Sequence, residues 1–161
     1  MEAFSSLTVN QVAFLQALAG SSARYLVVGG FAVRYHQCIR HTEDLDIFLE
    51  RSEPSVDALL SALTRLHAGD LRNVREHLLR QETKITWNGV DLFTTMRKLA
   101  FEYLFNGRIE VAYNDFHVPV ISLHHLKLAK RIALEDPERS ERWAIDQEDL
   151  VCLEKRCSEA V

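Results

Sequence analysis

Apolar and polar positions change period several times along this chain, and each change marks an element. Val12, Leu15 and Ala19, with Ala13 and Leu18 beside them, recur at helical spacing and predict a helix over Val9 to Ala19. Thr8 is placed to cap it and Gly20 to end it. Tyr25-Leu26-Val27-Val28 is a short apolar run that reads as a buried strand. Gly29-Gly30 makes a turn, and Phe31 to Gln37 reads as a short helix. Glu43 to Leu49 predicts a second strand. Side chains alternate faces along a strand, so Asp44 and Asp46 share one face while Leu45, Ile47 and Leu49 share the other. Next comes a helix with Ser52 as cap, Pro54 near its start and Val56, Leu59, Leu60, Leu63 and Leu66 on its apolar face, stopped by Gly69-Asp70.

Asn73 to Leu79 fits either an extended stretch or more helix. Thr83 to Trp87 and Val90 to Thr94 read as two strands about Asn88-Gly89, a strong two-residue hairpin signal. Met96 to Phe105 reads as a helix closed by Asn106-Gly107. Arg108 to Tyr113 and Phe116 to Ile121 are two further strands around Asn114-Asp115. Ser122 caps a helix to about Leu134, Asp136-Pro137 breaks it, and a last helix covers roughly Arg142 to Lys155. There is no internal repeat and no low-complexity linker. The pattern predicts an α/β (α+β) fold, a mixed β-sheet flanked by helices with a helical C-terminal part. One domain over 1–161 is expected, with a core at about 25–121 and C-terminal helices at about 122–157.

Composition narrows the classes. The 161 residues are near the size of one domain, 47% apolar and 26% charged, as in ordinary globular proteins. Net charge is −4 and the sequence pI about 6.0, so no global basic field points to nucleic acid. No apolar run approaches the roughly 18–20 residues of a membrane span. The start, MEAFSSLTVNQ, lacks a signal-like basic end and apolar centre. Three cysteines, Cys38, Cys152 and Cys157, form no CxxC pair. The odd count predicts free thiols in a reducing cytoplasm.

The chemistry lies in the carboxylates. Asp44 and Asp46 on one strand face repel each other, and a divalent cation is a natural counter-charge; hard oxygen ligands suit Mg²⁺ or Mn²⁺. Asp91 is an acid in the otherwise apolar run Val90-Asp91-Leu92-Phe93. If that strand lies beside the Asp44–Asp46 strand, three carboxylates converge as two-metal phosphoryl transfer needs. Gly29-Gly30 between strand and helix offers backbone N–H groups to phosphates. By themselves, Arg40 reads as a loop cation pairing with Glu43, and Lys130 as part of a basic helix face with Lys127 and Arg131. Thr42 reads as a loop terminator unless it serves the site. His36, His41 and His124-His125 have no partners at zinc spacing, and Trp87, Trp143, Phe101, Leu104 and Phe105 read as packing residues.

Taken together, the strand–Gly29-Gly30 turn, the thirteen residues between Gly30 and Asp44, and Arg40, Thr42, Asp44 and Asp46 in the register Arg-x-Thr-x-Asp-x-Asp resemble the DNA polymerase beta-type nucleotidyltransferase superfamily. The closer resemblance is to its small bacterial branch, which includes the AbiEii-type toxins of toxin–antitoxin systems. Asp91 matches the third acid, VPVISLHHLKLAK (Val118 to Lys130) is similar to the family's strand, Ser and Leu-to-Lys helix, and Asp146 and Asp149 resemble its closing Asp-x-x-Asp-Leu helix. The resemblance spans roughly residues 25 to 153. Gln37 stands where the family usually has a glycine after the His, Ile145 stands where a Lys is expected, and DPERSERW resembles an insertion.

The resemblance implies a minimal nucleotidyltransferase fold and a Mg²⁺-dependent (or Mn²⁺-dependent) transfer of NMP from an NTP to a hydroxyl, with pyrophosphate released. It implies Asp44, Asp46 and Asp91 as metal ligands and catalytic residues, and Gly29, Gly30, Arg40, Thr42 and Lys130 as nucleotide contacts. The acceptor class stays open among a tRNA, a protein side chain and a small molecule such as an aminoglycoside-like or lincosamide-like drug. A second reading is a catalytically silent interaction or nucleotide-sensing module, for instance paired with an antitoxin-like protein.

Overall fold

The computed structural model describes residues 2–80 and 84–156. A short 3-10 turn at Glu2–Phe4 leads into α1 (Val9–Ala19), whose start Thr8 closes with a reciprocal capping box to Gln11. Then come β1 (Tyr25–Val28), α2 (Gly29–Tyr35), β2 (Leu45–Leu49), α3 (Glu53–Arg65) and α4 (Val74–Leu79). A hairpin of β3 (Ile85–Trp87) and β4 (Val90–Phe93) precedes α5 (Phe101–Asn106), β5 (Ile109–Tyr113) and β6 (Phe116–Val120). The chain closes with α6 (Leu123–Leu134), a 3-10 helix at Pro137–Arg142 and α7 (Trp143–Glu154).

The six strands form one mixed sheet in the order β3-β4-β2-β1-β6-β5. β1 runs antiparallel to β2 and parallel to β6, and β2 runs parallel to β4, so the α/β class expected from the pattern is the class observed. The four residues of β1 are buried throughout, as a central strand covered on both faces requires. Around it one contiguous core draws Phe14 and Leu18 from α1, Leu59 and Leu63 from α3, Val118 and Val120 from β6, and Leu126 and Leu153 from α6 and α7. Phe48 stacks on Phe93 and meets Phe101 edge-on, which fixes β2, β4 and α5 to one another.

Several elements differ in extent from the expectation. The helix predicted over Met96 to Phe105 is only α5. Lys98 sits at φ +60°, outside the right-handed helix, and Met96 and Leu99 pair as an isolated bridge. The ambiguous segment before the hairpin is a helix, α4. α3 ends at Arg65, ahead of Gly69, because His67 turns to φ +55°. β2 begins at Leu45, so Asp44 stands one residue before the strand rather than in it. The Thr83 end of the predicted hairpin strand lies outside the described residues. Asn88 and Gly89 both have positive φ, as a type I′ hairpin turn demands.

Two further features link distant segments. Gln11 on α1 is buried, and its Nε2 donates to Glu43 O at 2.7 Å and Gly89 O at 2.8 Å. One side chain thus ties the entry to β2 to the β3–β4 turn. Cys38, just after α2, and Cys152 on α7 form a disulfide across 114 residues. This corrects the expectation of free thiols for that pair; an odd count cannot show which cysteines the fold brings together. Gln37 lies at φ +67°, a left-handed conformation that glycine adopts at less cost.

Among the described residues, no helix is long and apolar enough to cross a membrane.

Candidate active site

Strand register decides how the acids meet. Asp46 on β2 and Asp91 on β4 are direct partners in the parallel pair, so they sit side by side on one face. The same row continues to Val28 on β1 and Thr86 on β3. Asp44 lies one residue upstream of β2 and is exposed. Sequence spacing suggested the Asp44–Asp46 pair; the fold supplies Asp91 from a hairpin on the neighbouring strand.

The glycines are shaped by those acids. Gly29 has φ +65°, and a Cβ there would fall 2.0 Å from Asp46 Oδ2. A side chain at residue 29 would therefore occupy the space of the carboxylate. A Cβ on Gly30 would fall 2.4 Å from Thr42 Oγ1 and 2.7 Å from Arg40 Nη1. Gly29, Gly30, Thr42, Arg40 and Asp46 are thus one contiguous patch, and the two glycines open the first turn of α2 rather than a separate turn before it.

Burial and like charge act on Asp46 together. Its carboxyl is pushed up to about 6, first by desolvation, then by the charge of Asp91 and, less, of Asp44. The ammonium groups of Lys84 and Lys130 oppose the rise. Asp91 is 4% exposed, and both its oxygens are engaged. Thr86 Oγ1 donates to Oδ1 at 2.7 Å, and Lys84 Nζ donates to Oδ2 at 3.0 Å. Neither partner was singled out from the sequence. Thr86 was within reach, since a two-residue Asn88-Gly89 turn pairs Trp87 with Val90 and Thr86 with Asp91. Lys84, one residue before β3, carried no comparable signal.

The C-terminal residues form a second charge cluster against the first. Lys130 on α6 lies 3.1 Å from Asp146 and 2.8 Å from Asp149. Asp149 also meets Arg40 Nε at 3.2 Å, and Arg139 Nη2 donates to both oxygens of Asp146 at 3.0 Å. Asp146 and Asp149 are buried, and Lys130 is only 7% exposed. Buried charges persist at tolerable cost when paired in this way. Arg40 therefore pairs with Asp149, while Glu43 is met by His41 at 3.5 Å. Arg139, within the DPERSERW segment, is thus a further basic partner of Asp146. Trp143 Nε1 donates to Ala133 O and Asp136 O, closing the end of α6, and His36 is satisfied by Ile121 O at 2.8 Å.

The donor set fits a hard divalent cation: carboxylate oxygens, with backbone close beside them and no soft ligand. Among the described residues, no three Asp, Glu, His or Cys side chains already stand in an arrangement that holds a metal ion. At Asp91 the local counter-charge is Lys84. A concavity of about 460 Å³ lies elsewhere, lined by Tyr25, Phe105, Glu110 and Pro119, and none of the three acids borders it. No family model matches the chain, and no curated protein matches it.

Proposed function

We infer that this protein is a Mg²⁺-dependent nucleotidyltransferase, which moves a nucleoside monophosphate from an NTP to an acceptor hydroxyl. The observation that carries the reading is the register pair Asp46–Asp91 with Gly29 pressed against Asp46. Two carboxylates are held together at a cost, and the backbone is kept bare beside them. Asp44, Asp46 and Asp91 would hold Mg²⁺ or Mn²⁺, which supplies Lewis-acid stabilisation of phosphate charge when bound. Gly29 and Gly30 let Asp46, Thr42 and Arg40 pack directly against the main chain, whose N–H groups at the start of α2 would be offered to a triphosphate. Arg40 and Thr42 lie against Gly30, and Lys130 adds positive charge near Asp46. The acceptor oxygen bonds to the α-phosphorus as the bond to the β-phosphate bridging oxygen breaks. Asp91 takes the hydroxyl proton, and pyrophosphate leaves.

The acceptor classes remain a tRNA end, a protein side chain or a small hydroxylated molecule; a net charge of −4 favours the smaller ones. The test incubates each α-³²P-labelled NTP with Mg²⁺ and each acceptor class, alongside Asp46→Asn. Label transfer that depends on Asp46 supports the reading. An absence of NTP binding by wild type in calorimetry with Mg²⁺ present ends it.

A second reading has its own observation. Arg40 and Lys130 are both held by Asp149, and Lys84 covers Asp91, so the groups that would serve a nucleotide are internally paired. That suits a silent nucleotide-sensing or interaction module, for example with an antitoxin-like partner. NTP binding without label transfer to any acceptor selects it.

A further inference from the structure

We propose that Lys84 is the resident counter-ion of the acidic site, and that a divalent cation reaches Asp91 only by displacing it. The proposal rests on the reading of Asp44, Asp46 and Asp91 as the cation-binding acids.

Asp91 has two oxygens to offer. Thr86 takes one through its hydroxyl, and Lys84 takes the other through an ammonium group at 3.0 Å. The ammonium carries a full charge to a carboxylate that is almost wholly buried, while the Lys84 side chain itself is 61% exposed. Exposure of the stem gives the ammonium a path away from the site without unpacking the core. The neighbouring cation, Lys130, does not do the same work, because Asp146 and Asp149 hold it directly.

Charge counting gives the consequence. Three ionised carboxylates and one ammonium leave two negative charges, which one divalent cation neutralises. Two divalent cations beside a retained Lys84 would overcharge the cluster. The ammonium is thus a competitor for the second cation. Lys84 is a positioning residue in this scheme: it holds the Asp91 carboxylate in place until the cation arrives.

The test is Mn²⁺ titration of the nucleotide-free protein, read by electron paramagnetic resonance of free Mn²⁺, for wild type, Lys84→Met, Lys84→Arg and Asp46→Asn. Circular dichroism checks that each variant is folded. Lys84→Met is expected to bind Mn²⁺ at least tenfold tighter than wild type, or to take up a second ion. Lys84→Arg, which keeps the charge, is expected to stay within about threefold of wild type. Mn²⁺ binding that is lost in Asp46→Asn but equal or weaker in Lys84→Met overturns the role of Lys84 alone. Mn²⁺ binding by none of the four proteins overturns the role of Lys84 and the cation site together.

Discussion

At the scale of single residues, burial and like charge fall together on Asp46. Its carboxyl is raised to about 6, so the folded protein holds that proton more tightly than the unfolded chain does. The resulting penalty is absent below the unfolded pKa near 3.8, grows as pH rises through about 6, and is complete above it. Asp46→Asn is therefore expected to stabilise the cation-free protein at pH 7.5 by on the order of 2 kcal/mol, or roughly 4–8 °C in Tm, while abolishing transfer. Melting in EDTA at pH 4.5 and pH 7.5 checks this: the gap between variant and wild type should be clearly wider at the higher pH. A gap of equal size at both pH values would mean that Asp46 is not the strained group. Gly29→Ala tests the other half of the contact. The new Cβ would need the place of Asp46 Oδ2, at a positive φ, so a stability loss of about 1–3 kcal/mol and loss of Mn²⁺ binding are expected. Wild-type Mn²⁺ affinity in that variant would show that the glycine is merely a turn.

At the scale of elements, the chain's local signals and its tertiary choices separate cleanly. Thr8, Ser52 and Ser122 each cap the helix that pattern assigned to them, and Asn88-Gly89 turns the hairpin as its φ preferences dictate. These are local effects, so they were legible. The start of α5 was not, because the backbone reversal at Lys98 and the burial of Leu99 answer to the core rather than to propensity. The link from the loop after α2 to α7 was equally hidden. Cys38 and Cys152 close a loop across 114 residues, and such a cross-link is worth roughly 2–4 kcal/mol through the unfolded state. Reduction, or Cys38→Ser, is expected to lower Tm by about 5–15 °C. A non-reducing peptide map should contain the Cys38–Cys152 pair; quantitative labelling of Cys38 in the native, unreduced protein would contradict it.

At the scale of the whole molecule, the C-terminal helices are coupled to the acidic site by charge. Arg40, Asp149, Lys130, Asp146 and Arg139 form one continuous run from the loop after α2, through α7 and α6, to the 3-10 helix between them. Removing one of its buried members, Lys130, Asp146 or Asp149, strands the other two in a poorly solvated place. Asp149→Asn is expected to cost about 3 kcal/mol in urea unfolding, and combination with Lys130→Met to recover part of that loss. Strict additivity of the two substitutions would break the claim that they act as a unit. The disulfide joins the same two segments as the Arg40–Asp149 contact, so α7 is fastened beside the site both covalently and electrostatically.

The residue pattern by itself determined most elements and the mixed α/β class, and it singled out Gly29, Gly30, Asp44, Asp46 and Asp91 as candidates. Those follow from alternation, helical period and turn chemistry, which act over a few neighbouring residues. Only the tertiary structure decided that Asp91 stands in register with Asp46, that Gly29 is required by the carboxylate facing it, and that Arg40 belongs to Asp149. It alone supplied Lys84 as the cation at Asp91 and Arg139 as the partner of Asp146. Pairing across strands and between distant helices depends on which surfaces the core brings together, and charge repulsion or attraction is felt only once that contact exists.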